Sequence, residues 1–298
     1  MTLFDRLVNE ALRAQSGLAP LRMVVEKELL HHDILREMAE AGLLQTLTFI
    51  GGTCLRACYG SNRLSEDLDF TGGFQFDRAM LAGLGEVLVE RLQAKYGLTV
   101  TVGEPVWDSG NVDTWKMRVI TRPEHRDLPA QRINIDICAI PSHDPRPMLL
   151  RNPYGVDLGT SGLILQAESR AEILLDKLIA LAFRPNRIKY RDLWDIGWLV
   201  RQGIEPSLEL LPVKITDHRR TQPELLARLA ERGQALHEDA EIHKGFIQEI
   251  ARFLPPGVVT ETVGQDAFWD WLIALITDLC VRVERALDPS KQPGSFPM

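Results

Sequence analysis

The sequence predicts an α/β or α+β fold in which a sheet domain with flanking helices is followed by a mainly helical domain. Helical and strand patterns alternate through the first half of the chain, whereas strand signals fade after about residue 150. The stretch 141–162 between the two halves is rich in proline and glycine, which is typical of a connecting loop. We therefore predict two domains, over residues 1–160 and 161–298.

The elements follow in order from their hydrophobic patterns. Residues 22–41 carry apolar residues at helical spacing and form the clearest predicted helix. An apolar run at 46–50 predicts a strand, which Gly51-Gly52 end. The other predicted elements of the first half are a short helix at 53–59, a strand at 66–70, a helix at 76–95 and strands near 97–103, 113–120 and 131–139. Helices are predicted in the second half at about 168–183, 191–202, 222–232, 239–253 and 266–287.

The composition indicates an ordinary soluble protein of the cytoplasm. Hydrophobic residues make up 45% of the chain, and no apolar run approaches the roughly 18 residues of a membrane span. Four scattered cysteines favour buried thiols in a reducing compartment over a disulfide framework or a zinc site. The net charge of -7 argues against non-specific coating of nucleic acid but not against a local basic surface. The densest cationic stretches are 184–191 and 214–220, and a solvated loop explains each about as well.

Three carboxylates stand in apolar strand patterns. Side chains alternate between the two faces of a strand, so Asp67 and Asp69 share one face. In RINIDICAI the isoleucines share one face, and Asn134 and Asp136 share the other. Converging carboxylates repel each other unless a cation neutralises them, and Mg²⁺ prefers such oxygens, with Mn²⁺ as the alternative. An Asp-x-Asp pair alone is common, and Asp136 could instead be an edge-strand acid that faces water.

A glycine turn precedes these acids. Gly51 and Gly52 would let the backbone approach a phosphate closely, and Thr53 adds a hydroxyl. Two glycines after a strand are usually only a turn. The ordered combination of strand, Gly-Gly-Thr, helix, Asp-x-Asp strand and later Asp strand is more specific than any single part.

A second polar group is predicted on two consecutive helices. Lys177 lies on or beside the apolar stripe of its helix. A lysine there destabilises the fold unless it forms an ion pair or has a functional role. Asp192 and Asp195 share a face of the next helix with apolar residues. From these residues alone, a structural ion pair is somewhat favoured over catalysis.

The segment GGTCLRACYGSNRLSEDLDF resembles the nucleotidyltransferase motif of the AbiEii/AbiGii toxin-like family, within the DNA polymerase β superfamily. The family places an Arg and a Ser just before the acids, which match Arg63 and Ser65. Thr53 stands where the family often has Ser, and the hydroxyl is kept. AEILLDKLIALAFRPNRIKYRDLWDI is similar to the family's Lys-containing helix and its Arg-Asp-x-x-Asp motif, so the resemblance spans roughly residues 47–200.

The resemblance implies a polymerase β-like mixed sheet and a Mg²⁺-dependent transfer of NMP from an NTP. Asp67, Asp69 and Asp136 would then hold the metal, and Asp136 would help to deprotonate the acceptor hydroxyl. Lys177 would contact the triphosphate, and Asp195 would act as a base or a positioning group. The residues expected to bind the nucleotide are Gly51, Gly52, Thr53, Arg63, Ser65, Lys177, Arg191 and Asp192.

The resemblance also implies biological partners. The chain would be the toxin of a bacterial toxin–antitoxin pair, with a winged-helix antitoxin as partner and the 3′ end of an RNA, tRNA first, as acceptor. The overall acidity slightly favours a small-molecule or protein hydroxyl as acceptor instead. A member that only binds a nucleotide or a partner is the third hypothesis, and the presence of all three acids argues against it.

Overall fold

The computed structural model describes residues 1–106, 110–124, 129–185 and 187–288. The chain divides into two compact units, Met1–Ser169 with Phe253–Pro255 and Arg170–Arg252 with Pro256–Met298. The segment Phe253–Pro255 belongs to the first unit, where the carbonyl of Phe253 accepts a hydrogen bond from the amide of Leu64 at 2.9 Å. The predicted domain limit between residues 160 and 161 stays a prediction.

The first unit contains a mixed sheet of seven strands. The strands are β1 (Thr48–Ile50), β2 (Leu68–Thr71), β3 (Thr99–Gly103), β4 (Val112–Ile120), β5 (Gln131–Cys138), β6 (Pro145–Leu149) and β7 (Ile164–Glu168). Their order is β3-β4-β5-β2-β1-β7-β6. Strand β2 runs parallel to β5 and β1 runs parallel to β7, whereas the other neighbours are antiparallel. This mixed sheet, with its flanking helices and the helical second unit, confirms the predicted α+β class.

Helices of the first unit cover one face of the sheet. The α-helices described there are α1 (Leu3–Ala14), α2 (Arg22–Glu40), α3 (Gly51–Ala57) and α4 (Leu84–Tyr96). Helix α2 packs on β5 and α4 packs on β3. The side chains they bury include Trp115, Ile133 and Ile135, and each such burial contributes about 1.5–3 kcal/mol. Alternate residues of β4 and β5 point to the opposite face, and that face carries the predicted acids.

Two predictions in this unit are wrong in part. The helix predicted at 76–95 begins only at Leu84, because Gly83 adopts a left-handed φ of 85° after a short 3₁₀ turn. The stretch 141–162 is not only a connecting loop, since it contains β6, and β7 follows directly. Strand β6 carries Pro145 and Pro147, which remove two amide donors. It lies at the edge of the sheet, where proline is tolerated.

The described part of the second unit is helical. Its α-helices are α5 (Arg170–Phe183), α6 (Tyr190–Arg201), α7 (Leu211–Asp217), α8 (Gln222–Glu238), α9 (Ala240–Ile250), α10 (Pro256–Glu261) and α11 (Asp266–Leu287). The five longer ones confirm the predicted helices, and the short α7 and α10 were not predicted. Among the described residues, no helix combines the length and the apolar character needed to cross a membrane.

Candidate active site

The sheet register brings two of the predicted acids side by side. In the parallel pair of β2 and β5, Asp69 lies directly opposite Asp136. Neighbouring strands are ~4.8 Å apart, and directly paired residues share a face. On its other side, Asp69 is paired with Ile50, the last residue of β1. Two carboxylates therefore occupy adjacent positions on the face opposite α2, at the point where β1 ends.

Asp67 joins this group from just outside the strand. The sequence predicts a strand at 66–70, but β2 begins at Leu68 and Asp67 precedes it. The Asp67 Oδ1 atom accepts a hydrogen bond from the backbone amide of Asn134 at 3.0 Å. Because Asn134 lies two residues before Asp136 on β5, this bond fixes Asp67 beside the paired acids.

Gly51 leaves the room that the Asp69 carboxylate occupies. Gly51 begins α3 with a φ of 75°, a left-handed conformation that favours glycine. A Cβ atom at this position would lie 3.0 Å from Asp69 Oδ2. Gly52 follows as the second residue of α3. The predicted glycine turn is thus in contact with the predicted acids.

Thr53, Arg63 and Ser65 are all buried in the structure. Thr53 Oγ1 lies 2.6 Å from Ser65 Oγ and donates a hydrogen bond to the backbone carbonyl of Asp67. Arg63 donates to the carbonyl of Leu64 at 3.0 Å. In this geometry the hydroxyls of Thr53 and Ser65 hold the segment that leads into Asp67. The expected contact of Thr53 with a phosphate stays a prediction.

Glu28 anchors the same segment from α2, and the sequence analysis missed it. Its Oε1 atom accepts the amide of Ser65 at 2.8 Å. Its Oε2 atom accepts from Arg56 Nε at 3.0 Å and from the hydroxyl of Tyr154. Burial and the Glu28 carboxylate together raise the pKa of Tyr154 well above its usual range. An acid on a buried face of a strongly predicted helix is the signal that could have found Glu28.

Lys177, Asp192 and Asp195 form a buried ion cluster in the second unit. The Lys177 ammonium lies 2.5 Å from Asp192 Oδ1 and 3.1 Å from Asp195 Oδ2. Arg184 adds a contact of 3.2 Å to Asp192. Burial alone would raise the pKa of Asp192, but Lys177 and the neighbouring Lys189 and Arg184 hold it at about 2. The structure therefore contains the ion pair between Lys177 and the aspartates that was favoured from the sequence pattern.

The basic stretches singled out in the sequence are largely paired within the second unit. Arg191 lies 3.2 Å from Glu249 of α9. Lys214 is buried and contacts the carboxylates of Glu172 at 2.6 Å and Asp176 at 2.7 Å. These two cations are therefore held by carboxylates of the helical unit, and removal of one partner would leave the other charge uncompensated.

The three aspartates of the first unit suit a hard divalent cation. Asp69 and Asp136 lie side by side on the sheet, and Asp67 is tied to the same strand. Carboxylate oxygens are the ligands that Mg²⁺ and Mn²⁺ prefer, and a bound cation removes the repulsion between adjacent carboxylates. The chemistry of the donor set suits such an ion, although these three carboxylates are not among the described groups whose oxygens all lie within 4.8 Å of one another.

Solved structures of similar fold are found by comparison. The structure of MenT4, a nucleotidyltransferase toxin from Mycobacterium tuberculosis, is similar with a TM-score of 0.54 and 19% identity, covering 96% of this chain and 95% of that one. JHP933 from Helicobacter pylori gives a TM-score of 0.48 at 17% identity, covering 90% and 99%.

A comparison with curated proteins gives no match. The profile described as "Nucleotidyl transferase AbiEii toxin, Type IV TA system" matches residues 33–274. The match covers most of the chain and includes both the Gly-Gly turn and the three aspartates. The chain therefore belongs to the AbiEii family of nucleotidyltransferase toxins of type IV toxin–antitoxin systems.

Proposed function

We propose that this chain transfers NMP from an NTP to an acceptor hydroxyl at a site formed by Asp67, Asp69 and Asp136. The observation that carries the proposal is that Asp69 lies opposite Asp136 in the strand register and that its carboxylate lies next to Gly51. Adjacent carboxylates beside a glycine turn provide a place for a cation and a phosphate at once.

The reaction requires positioning and charge stabilisation more than covalent chemistry. An acceptor oxygen attacks the α-phosphorus, the bond to the β-phosphate oxygen breaks, and pyrophosphate leaves. Asp136 helps to remove the proton of the acceptor hydroxyl. Asp67 and Asp69 would hold Mg²⁺, which when bound stabilises the developing charge on the phosphoryl oxygens. Glu28, Thr53 and Ser65 act as positioning residues, because their hydrogen bonds hold the segment that carries Asp67.

The remaining expected site residues have different proposed roles. Lys177 is the proposed triphosphate contact, with Asp192 and Asp195 holding its ammonium group. Gly51 and Gly52 are proposed to lie against the phosphates. Arg63 is proposed to support the loop before the acids, and Arg191 is proposed to contact nucleotide phosphates from α6.

The proposed acceptor is the 3′ end of an RNA, tRNA first, in the bacterial cytoplasm. A winged-helix protein is the proposed antitoxin. The net charge of -7 slightly favours the second candidate, a small-molecule or protein hydroxyl, because a net negative charge repels long polyanions.

The test is incubation of the protein with radiolabelled NTPs, Mg²⁺ and total RNA, with and without EDTA. We expect EDTA-sensitive label in RNA with the wild type and at least a 10²-fold loss in Asp69→Ala. Asp270→Ala, which removes an exposed carboxylate of the second unit, serves as the matched control. Absence of any transferred label in the wild type, or equal transfer by Asp69→Ala, defeats the proposal. Mass spectrometry of metabolites and of the protein itself separates the two acceptor classes.

A further inference from the structure

Three exposed cations lie on the sheet face that carries Asp69 and Asp136. On β5, Asp136 and Arg132 share a face because they are four residues apart. On β4, Lys116 is paired with Asn134 and Arg118 is paired with Arg132. Directly paired residues share a face, so Lys116, Arg118 and Arg132 lie on the acid face. We refer to these three residues as the cationic stripe.

The cationic stripe is free to bind an external anion. Lys116, Arg118 and Arg132 are all exposed. Within the residues that the structure describes, none of the three has an ion pair or a side-chain hydrogen bond. Arg118 and Arg132 lie directly opposite each other, an arrangement that destabilises a strand pair through like-charge repulsion. An anion across the two guanidinium groups would remove that repulsion.

The stripe leads away from the acids at regular spacing. Lys116 lies at the level of Asn134, ~7 Å along β5 from Asp136, and the arginine pair lies ~13 Å away. Across β3, the residues paired with the stripe are Gly103 beside Lys116 and Thr101 beside Arg118. These side chains are small, so they leave the cations accessible from above the sheet.

We propose that the cationic stripe binds the phosphates of a single-stranded RNA segment whose 3′ end reaches Asp136. The inference rests on the proposed function, and it names the surface that binds the acceptor. The charge pattern changes from acidic at Asp136 to basic at Lys116, which lies on β4 opposite Asn134, and at Arg132, four residues from Asp136 on β5. This change orients a polyanion with its backbone over the cations and its terminal hydroxyl at the acids. The local stripe also explains how a chain with a net charge of -7 can bind RNA.

The first experiment measures binding of a fluorescent single-stranded RNA dodecamer by anisotropy, without NTP, between 50 and 200 mM salt. Each phosphate contact makes the slope of log K against log salt more negative by about 0.7, so three contacts give a slope of about -2. The association constant should then fall by about 18-fold between 50 and 200 mM salt. The triple variant K116Q/R118Q/R132Q should lose this slope. The control R6Q/R13Q/R91Q removes three exposed arginines from α1 and α4 and should bind as the wild type does.

Equal binding by the stripe variant and the wild type overturns the inference, and so does an equal loss in the control. Circular dichroism melting of each variant verifies that it folds.

The second experiment keeps this inference separate from the proposed function. We expect the stripe variant to show a raised KM for RNA, with an unchanged KM for NTP. A raised KM for NTP alone would assign the stripe to the triphosphate and overturn the inference. If RNA binds through the stripe and no label is ever transferred, the proposed function fails and the binding surface stands.

Discussion

Replacing Gly51 by alanine tests the contact between the glycine turn and Asp69. Gly51 has a φ of 75°, and alanine in this left-handed region costs about 1–2 kcal/mol. The new Cβ would lie 3.0 Å from Asp69 Oδ2, which is ~0.4 Å closer than an ordinary contact. The carboxylate must therefore move, or the start of α3 must move away from it.

Two effects follow, and they can be measured separately. The backbone strain should lower Tm by about 2–8 °C, since 1 kcal/mol corresponds to about 2–4 °C in a unit of this size. The displaced carboxylate should lower kcat by on the order of tenfold, because a misplacement of 1 Å can cost about 10²-fold. Gly97→Ala is the matched control, because Gly97 has a φ of 64° and a Cβ there meets nothing within 4 Å.

The assay combines thermal unfolding with the rate of label transfer for both variants. We expect both to lose stability to a similar extent and only Gly51→Ala to lose turnover. If the Gly51→Ala and Gly97→Ala proteins transfer label at the same rate, the contact with Asp69 has no catalytic consequence and the reasoning is refuted.

The ion cluster and the buried histidines give two further predictions. Lys177→Met should lower the free energy of unfolding by about 3–5 kcal/mol, because the buried carboxylates of Asp192 and Asp195 both lose their contact with the lysine. Lys244→Met, which removes an exposed ion pair, should change it by less than about 1 kcal/mol. Equal urea midpoints for these variants would contradict this. Burial, with help from His31 and Arg56, lowers the pKa of His32 to about 3. Below about pH 6.5, His32 is therefore protonated in the unfolded chain but stays neutral in the folded chain. As the pH falls from 7 to 5, this difference should lower the free energy of unfolding by ~2 kcal/mol. His32→Gln should reduce that loss, and an unchanged pH slope in this variant would speak against it.

Periodic elements could be predicted well from the sequence. The helix expected at 22–41 is α2, because its apolar spacing matches the helical period over five turns. Strand β6 could not be predicted, because two of its five residues are proline. Proline is compatible with an edge strand, but the position of a strand in the sheet is set by tertiary pairing. Local pattern therefore predicted the edge strand β3 as well as the interior strands β1, β2, β4 and β5, but it missed β6 and its neighbour β7.

The sequence could predict the site only where the alternation of side chains along a strand decides which face of the sheet a residue occupies. Period two places Asp67 with Asp69 and Asn134 with Asp136, but the register that pairs Asp69 with Asp136 is a tertiary fact. The same limit hid the cationic stripe. Lys116, Arg118 and Arg132 are dispersed among apolar residues on two strands, and no run of charges marks them. The runs that did stand out include Arg191 and Lys214, which the structure pairs with acids.

Partners, more than spacing, decide what a carboxylate in an apolar pattern does. Glu28 accepts hydrogen bonds from Ser65, Arg56 and Tyr154, so its charge serves the loop that it holds. Asp192 contacts Lys177 and Arg184, and the positive charges of these two side chains lower its pKa. Asp69 lies opposite another carboxylate, Asp136, in the strand register, and a Cβ atom at Gly51 would lie 3.0 Å from its Oδ2 atom. A like charge as neighbour raises the energy of the ionised pair unless a cation binds there. For this reason the Asp69–Asp136 pair, more than any other acid discussed above, is where chemistry should be sought.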